Sequence, residues 1–227
     1  MKAVIVSDLH IGSPYFLHKD FQRFLMNIPE DHEFIMNGDI MDDPNGELKL
    51  PHQRTLELIE QISNRNRVVW VRGNHDNVYV PRGLGKVQFK RFHSIKDRLL
   101  IVHGDDFDEI MPRNQAFIKA FKFMHNLRVK LGAKPIHVAH YAKKWELLYR
   151  VLRKNVMMNA VKCAMQNGYE AVTCGHTHYP EDRVVNGMRY MNTGAWTESP
   201  VFYLLVTDDK MTLKTMNDTI QRSIDRV

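Results

Sequence analysis

The 227-residue chain is predicted to fold as a mixed α/β protein, and three observations carry that expectation. Five short apolar runs rich in valine and isoleucine recur along the chain, each breaking off into polar residues. Segments with helical spacing of apolar residues lie between them. After residue 183 the pattern changes to antiparallel strands joined by tight turns.

The first run, AVIV (3–6), leads into SDLH; EFIM (33–36) leads into NGD, and VVWV (68–71) into RGNHD. LLIV (99–102) leads into HGDD, and EAVT (170–173) into CGHTH. Largely apolar runs of this length suit strands buried on both faces. In open α/β sheets ligands gather at the carboxyl ends of strands, so the five polar clusters should converge on one rim. FQRFLMNI (21–28) and HQRTLELIEQI (52–62) are spaced as helices, and Pro44-Asn45-Gly46 and Pro81-Arg82-Gly83 mark turns. Phe117, Phe121, Met124, Leu127 and Leu131 predict another helix. Val138, Tyr141, Trp145, Leu148, Leu152 and Val156 predict one more, divided from it by Gly132 and Pro135. This stretch, about 111–165, reads as an insertion between the fourth and fifth strands, its methionine and aromatic stripe packing helix on helix, with a groove facing an acyl chain as the alternative. Asn186-Gly187 predicts a hairpin, and Asp208-Asp209-Lys210 a second turn.

Composition is that of a folded protein, 44% hydrophobic and 26% charged, and the whole chain is expected to form a single domain, 1–227. No apolar run approaches the ~20 residues of a membrane span. The run before Asp8 is shorter than the roughly 7–15 residues of a secretory apolar region, and with only two cysteines in the chain a reducing cytoplasm is expected. Two cysteines, Cys163 and Cys174, indicate no disulfide framework and read as small packing residues. The net charge of +6 is uneven: residues 111–165 carry twelve Lys or Arg against the single acid Glu146, a net +11, and the rest of the chain carries −5. A segment so basic implies an anionic partner: a phosphate-bearing substrate, a nucleic acid or an anionic membrane surface.

The strand-end groups Asp8, His10, Asp39, Asn74, His75, His103, His176 and His178 mix carboxylate, amide and imidazole donors. Such a set suits Mn2+, Fe2+ or Zn2+ rather than a structural cysteine site. It exceeds what one ion needs, and two ions sharing a carboxylate would use it well. In an extended segment, residues two apart share a face, so His176 and His178 should point the same way.

Asp8-x-His10, Gly38-Asp39, Gly73-Asn74-His75-Asp76, His103-Gly104 and Gly175-His176-Thr177-His178 together resemble the signature of the calcineurin-like metallophosphoesterases. The resemblance implies a β-sandwich of two mixed sheets flanked by helices, here with the inserted basic helical cap, and two divalent metal ions, Mn2+ first. On that pattern Asp8, His10 and His178 hold one metal, Asn74, His103 and His176 the other, and Asp39 bridges them. A hydroxide between the metals would attack phosphorus in line. His75 would stabilise the phosphoryl oxygen or protonate the leaving oxygen, with Asp76 orienting its ring.

HGDDFD (103–108), the helical insertion, CGHTHYPE and MNTGAWTES (191–199) are similar to the branch containing UDP-2,3-diacylglucosamine diphosphatases. That branch carries Arg where His75 stands; here the residue follows the wider superfamily. The implied substrate is a lipid-linked nucleotide sugar, split into UMP and an acylated sugar phosphate, with peripheral contact at an anionic membrane. Lys143, Arg153 and Lys154 are phosphate-binding candidates by charge and position. A phosphodiesterase or nuclease of the same fold, and a non-catalytic scaffold, are the rival readings. His18, His32, His52 and His93 are expected at the surface or in packing, and His125, His137 and His140, in the basic segment, on a helix surface, with contact to a phosphate as the alternative. Asp42 and Asp43 read as turn formers, and Asp105 and Asp106 as either turn residues or partners of the ligands.

Overall fold

Each of the five apolar runs forms a strand, but they divide between two sheets. The computed structural model describes residues 2–43, 45–76, 83–111 and 115–216; Pro44, Pro81, Arg82, Arg113 and the side chains of Phe117 and Lys122 lie outside the described residues. The first three runs become β1 (Lys2–Val6), β2 (His32–Asn37) and β3 (Val68–Val71), parallel neighbours in a six-stranded sheet. β4 (Gln88–Lys90) extends that sheet in parallel. β10 (Phe202–Val206) and β11 (Met211–Thr215) close its other side antiparallel, in the order β11-β10-β1-β2-β3-β4. The last two runs become β6 (Leu99–Ile101) and β7 (Ala171–Cys174), parallel to each other in a second sheet of order β5-β6-β7-β9-β8. Its other members are β5 (His93–Ile95), β8 (Glu181–Val185) and β9 (Met188–Asn192). Asn186 (φ 52°) and Gly187 (φ 80°) make the predicted hairpin between β8 and β9.

Alternation along the strands explains the layers. Ala3, Ile5, Ile35, Val69 and Val71 point one way and form a core with Ile95, Leu99, Ile101 and Met191 of the second sheet. Val4, Val6, Phe34, Met36 and Trp70 point the other way, onto Phe21, Phe24 and Leu25 of α1 (His18–Met26) and Ile59 and Ile62 of α2 (Leu50–Ser63). The far face of the second sheet presents Leu100, Val172, Cys174 and Tyr190 to α5 (Glu146–Gln166), which supplies Met157, Ala160, Val161 and Ala164. Burying each large apolar side chain contributes about 1.5–3 kcal/mol, so a strand apolar on both faces settles only between two such layers. Cys174 is fully buried there, in the packing role expected of it. No helix among the described residues is long and apolar enough to cross a membrane.

The insertion between β6 and β7 holds α3 (Gln115–Lys130), α4 (Val138–Ala142) and the first turns of α5. One helix was predicted over 138–156; the chain breaks it at Lys143–Trp145. There α4 is fastened to Glu198 through His140 and Lys143, while α5 must follow the second sheet, and one straight axis cannot serve both anchors. The apolar stripe also departs from simple helix packing. Of the residues named for it, Phe121 and Val156 are buried, whereas Met124, Leu127, Leu131, Trp145 and Leu148 are exposed.

Candidate metal centre

The polar clusters converge because the loops leaving neighbouring strands continue to pair beyond the strand ends. Past β1 and β2, Asp8 N–H donates to Gly38 O, His10 N–H to Asp39 O and Ile11 N–H to Ile40 O. Past β6 and β7, Gly175 N–H donates to His103 O. Asp8 joins the two sheets, its carboxylate accepting the N–H of His176 at 3.1 Å. Five of the candidate ligands, Asp8, His10, Asp39, His176 and His178, hold left-handed backbone conformations, with φ of 51–58°. That region is costly for residues other than glycine, and its concentration here is a sign of a site that packing over-determines. Gly175 is required for another reason: a Cβ there would fall inside the van der Waals radius of Asp8 Oδ2.

Ligand atoms of Asp8, His10, Asp39 and His178 lie within 4.8 Å of one another, as do those of Asp39, His103 and His176, so Asp39 belongs to both groups. His178 Nε2 lies 3.1 Å from Asp8 Oδ1 and 3.2 Å from His10 Nε2. His103 Nε2 lies 3.3 Å from Asp39 Oδ2, and His176 Nδ1 is 3.1 Å from Asn74 Oδ1. His176 and His178 therefore face different groups rather than one way, because their left-handed conformations break the two-residue alternation of a strand. Burial works against the ionised Asp39, but attraction to His103, 3.3 Å away, outweighs it and holds the carboxyl well below the usual range. His103 Nδ1 donates to Asn37 O at 2.9 Å, while its fully buried Nε2 has no well-formed hydrogen bond. A nitrogen so oriented, amid carboxylate and amide oxygens, fits a divalent cation.

Several residues that the sequence read otherwise lie at or near these donors. Asp42, read as a turn former, puts Oδ1 3.1 Å from His10 Nδ1, and its carbonyl accepts from His75 Nδ1 at 2.8 Å. Asp108 meets His176 Nε2 at 3.0 Å. It follows a short 3-10 turn (Asp105–Phe107) that directs Asp106 away, to Arg91. His137, expected on a helix surface, stacks on His178 with ring centroids 5.5 Å apart and planes at 19°. Burial first, then the imidazoles of His178 and His10, push its pKa down to about 3. His125 is buried too, its Nε2 donating to Ile136 O at 3.0 Å. His140 pairs with Glu198.

Asp76 is placed differently from the expectation that it orients the His75 ring. Its fully buried carboxylate accepts from the backbone of Gly73 (2.7 Å) and Ile40 (2.6 Å) and from the Trp70 indole (3.2 Å), tying together the loops that carry Asp39 and Asn74. The proposed phosphate contacts are engaged elsewhere: Lys143 with Glu198, and Arg153 with Glu181 at 2.8 Å beneath Tyr179. Lys154 is exposed on α5.

A cavity of about 430 Å³ opens over the cluster. Its floor includes His10, Asp39, Asn74, His75, His176 and His178; its wall is apolar cap, with Phe121, Trp145, Leu148 and Leu152 among its residues.

The calcineurin-like phosphoesterase family model matches residues 1–180. No curated protein matches the chain. Among solved structures, it is similar to Yfce, a phosphoesterase from E. coli, at 16% identity and TM-score 0.52, with 96% of this chain and 94% of that one covered. Vacuolar Protein Sorting 29 from Cryptosporidium parvum aligns at 14% identity and TM-score 0.47, covering 94% and 95%. An archaeal phosphodiesterase aligns at 15% and 0.46, covering 95% and 99%. At these identities the likeness concerns the fold, and the first alignment agrees with the two helix-flanked mixed sheets. Since the family match spans most of its length and its buried His/Asp cluster suits the divalent metals that family uses, the chain belongs to the calcineurin-like phosphoesterases and is a hydrolase of phosphoric esters.

Proposed function

We propose that the protein hydrolyses the pyrophosphate of an amphipathic nucleotide, UDP-2,3-diacylglucosamine or a close analogue, releasing UMP and an acylated sugar phosphate. The observation that carries this reading is the cavity, in which one polar floor of ligand residues meets an apolar wall from the cap. An acyl chain could lie along Trp145, Leu148 and Leu152 while the diphosphate rests on the floor. In this reading Asp8, His10 and His178 would hold one ion, Asn74, His103 and His176 the second, and Asp39 would serve both. When bound, two such ions, Mn2+ in the first instance, supply charge neutralisation at phosphorus and a water of lowered pKa.

The chain's own residues do the remainder. Asp42 and Asp108 orient the rings of His10 and His176. His75 Nδ1 is committed to Asp42 O, so its Nε2 faces the leaving oxygen and donates once the ring is protonated. Asp76 acts through the loop backbone rather than on that ring. Arg153 and Lys143, within their ion pairs, shape the rim, and Lys154 adds exposed positive charge. The 111–165 cap belongs with the rest of the chain to one domain, working in the cytoplasm against an anionic membrane face.

The test is mass-spectrometric product analysis with the Mn2+-loaded protein. UMP and acylated sugar phosphate should form faster than products from a water-soluble diester or a short oligonucleotide. Preferential cleavage of the oligonucleotide would replace this reading with that of a nuclease, for which the +11 charge of the cap segment is the supporting feature.

A further inference from the structure

We propose that His137, supplied by the cap, contacts substrate, its Nε2–H donating a hydrogen bond to a phosphoryl oxygen of the ester held at the metal cluster. The inference rests on the cluster being the phosphoesterase centre and does not depend on the lipid substrate. Position is the first observation. The ring lies 5.2 Å from that of His10 and 5.5 Å from that of His178, and it lines the same cavity as Asp39, Asn74 and His75.

The tautomer is the second. A backbone amide can only donate, so the contact from Ala139 N–H at 3.3 Å makes His137 Nδ1 the acceptor. The neutral ring then carries its proton on Nε2. Among the described residues Nε2 has no hydrogen-bond partner. His75 is arranged the opposite way, its Nδ1 donating to Asp42 O, so that its Nε2 bears a proton only in the imidazolium form. Both rings touch His10. His75 therefore donates through Nε2 only as a charged ring, and His137 as a neutral ring that bound cations would not repel.

The third observation is what holds His137 there. His140 and Lys143, farther along the same short segment, both pair with Glu198 from the loop after β9. Tyr15 adds an edge contact at 5.8 Å. The cap is thereby fastened to the sandwich beside the cluster, so that it delivers a polar group to the phosphate as well as an apolar wall.

The experiment compares the full chain with His137→Phe, which keeps a flat ring on His178 but lacks the donor, and His137→Gln, which retains an N–H. Three quantities are measured: kcat and KM on bis(p-nitrophenyl) phosphate, bound Mn2+ per chain, and calorimetric affinity for inorganic phosphate. His137→Phe should lower kcat/KM about 10–100-fold, the range expected for a hydrogen bond to a charged group. It should also weaken phosphate binding about fivefold or more with metal content unchanged, and His137→Gln should recover part of both losses. Wild-type values in His137→Phe would overturn the proposal. So would loss of metal, or equal impairment in both variants, since each would mark a structural role. If the metal-loaded wild type cleaves no ester, the phosphoesterase reading falls, and the phosphate-affinity comparison alone decides the role of His137.

Discussion

At the scale of single residues, Asp39 has the most tasks. It accepts the N–H of His75 at 2.9 Å, stands beside His103 and belongs to both ligand groups. Asp39→Asn keeps an acceptor for His75 but removes the shared charge. Bound metal should fall below one ion per chain and diester turnover by about 100-fold or more; full metal occupancy would refute the bridging role. Gly175 illustrates steric rather than chemical necessity. Gly175→Ala must push Asp8 aside, with Ser7 Cβ only 2.7 Å from the added carbon. A loss of about 1–3 kcal/mol in urea unfolding is expected, together with weaker metal binding; an unchanged midpoint would show that the loop yields easily. The main ligand candidates were legible in the sequence because each ends an apolar run. Asp108 was not, because nothing in HGDDFD tells which acid turns inward. A 3-10 turn sends Asp106 out to Arg91 and brings Asp108 back to His176.

At the scale of elements, α2 steadies the first ligand loop through a hydrogen bond, His52 Nδ1 accepting the N–H of Gly12 at 3.0 Å. Burial, then the charges of His18 and Lys49, hold His52 below the usual imidazole range. The folded chain thus keeps it neutral where the unfolded chain takes up a proton near pH 6.5. Stability present above that pH is lost as pH falls toward the folded-state value. His52→Phe should cost about 1 kcal/mol near neutral pH. Its melting temperature should also fall less than the wild type's between about pH 7 and 5.5; parallel curves would show that His52 does not carry this dependence. The helices α1 and α2 were readable from periodicity within a residue or three of their ends. The break between α4 and α5 was not, since the spacing of Val138 to Val156 suits one helix and only the tie to Glu198 interrupts it. β4 and β5, three residues each, are too short for any period to emerge.

At the scale of the whole molecule, the cluster lies where two sheets meet, so its candidate ligands come from both and exist as a set only in the folded chain. A ligand that binds the folded state alone stabilises it by about 2.7 kcal/mol at a hundred times its Kd. For a chain of this size that corresponds to a rise of roughly 5–10 °C. Adding Mn2+ to chelator-stripped protein should raise the melting temperature by such an amount, and Asp39→Asn should blunt the shift. An equal rise in both would place the metal elsewhere. What the sequence by itself determined are the strands, the order of their polar ends and the donor types of the cluster, because apolar runs, glycine turns and ligand chemistry are local properties. The tertiary structure alone decided how five strands divide between two sheets, which acids orient which rings, and that His137 returns from the cap to the cluster. Those depend on contacts between residues far apart in the chain, such as Asp8 with His176 and Lys143 with Glu198, whose pairing emerges only when both apolar faces of each sheet find their partners.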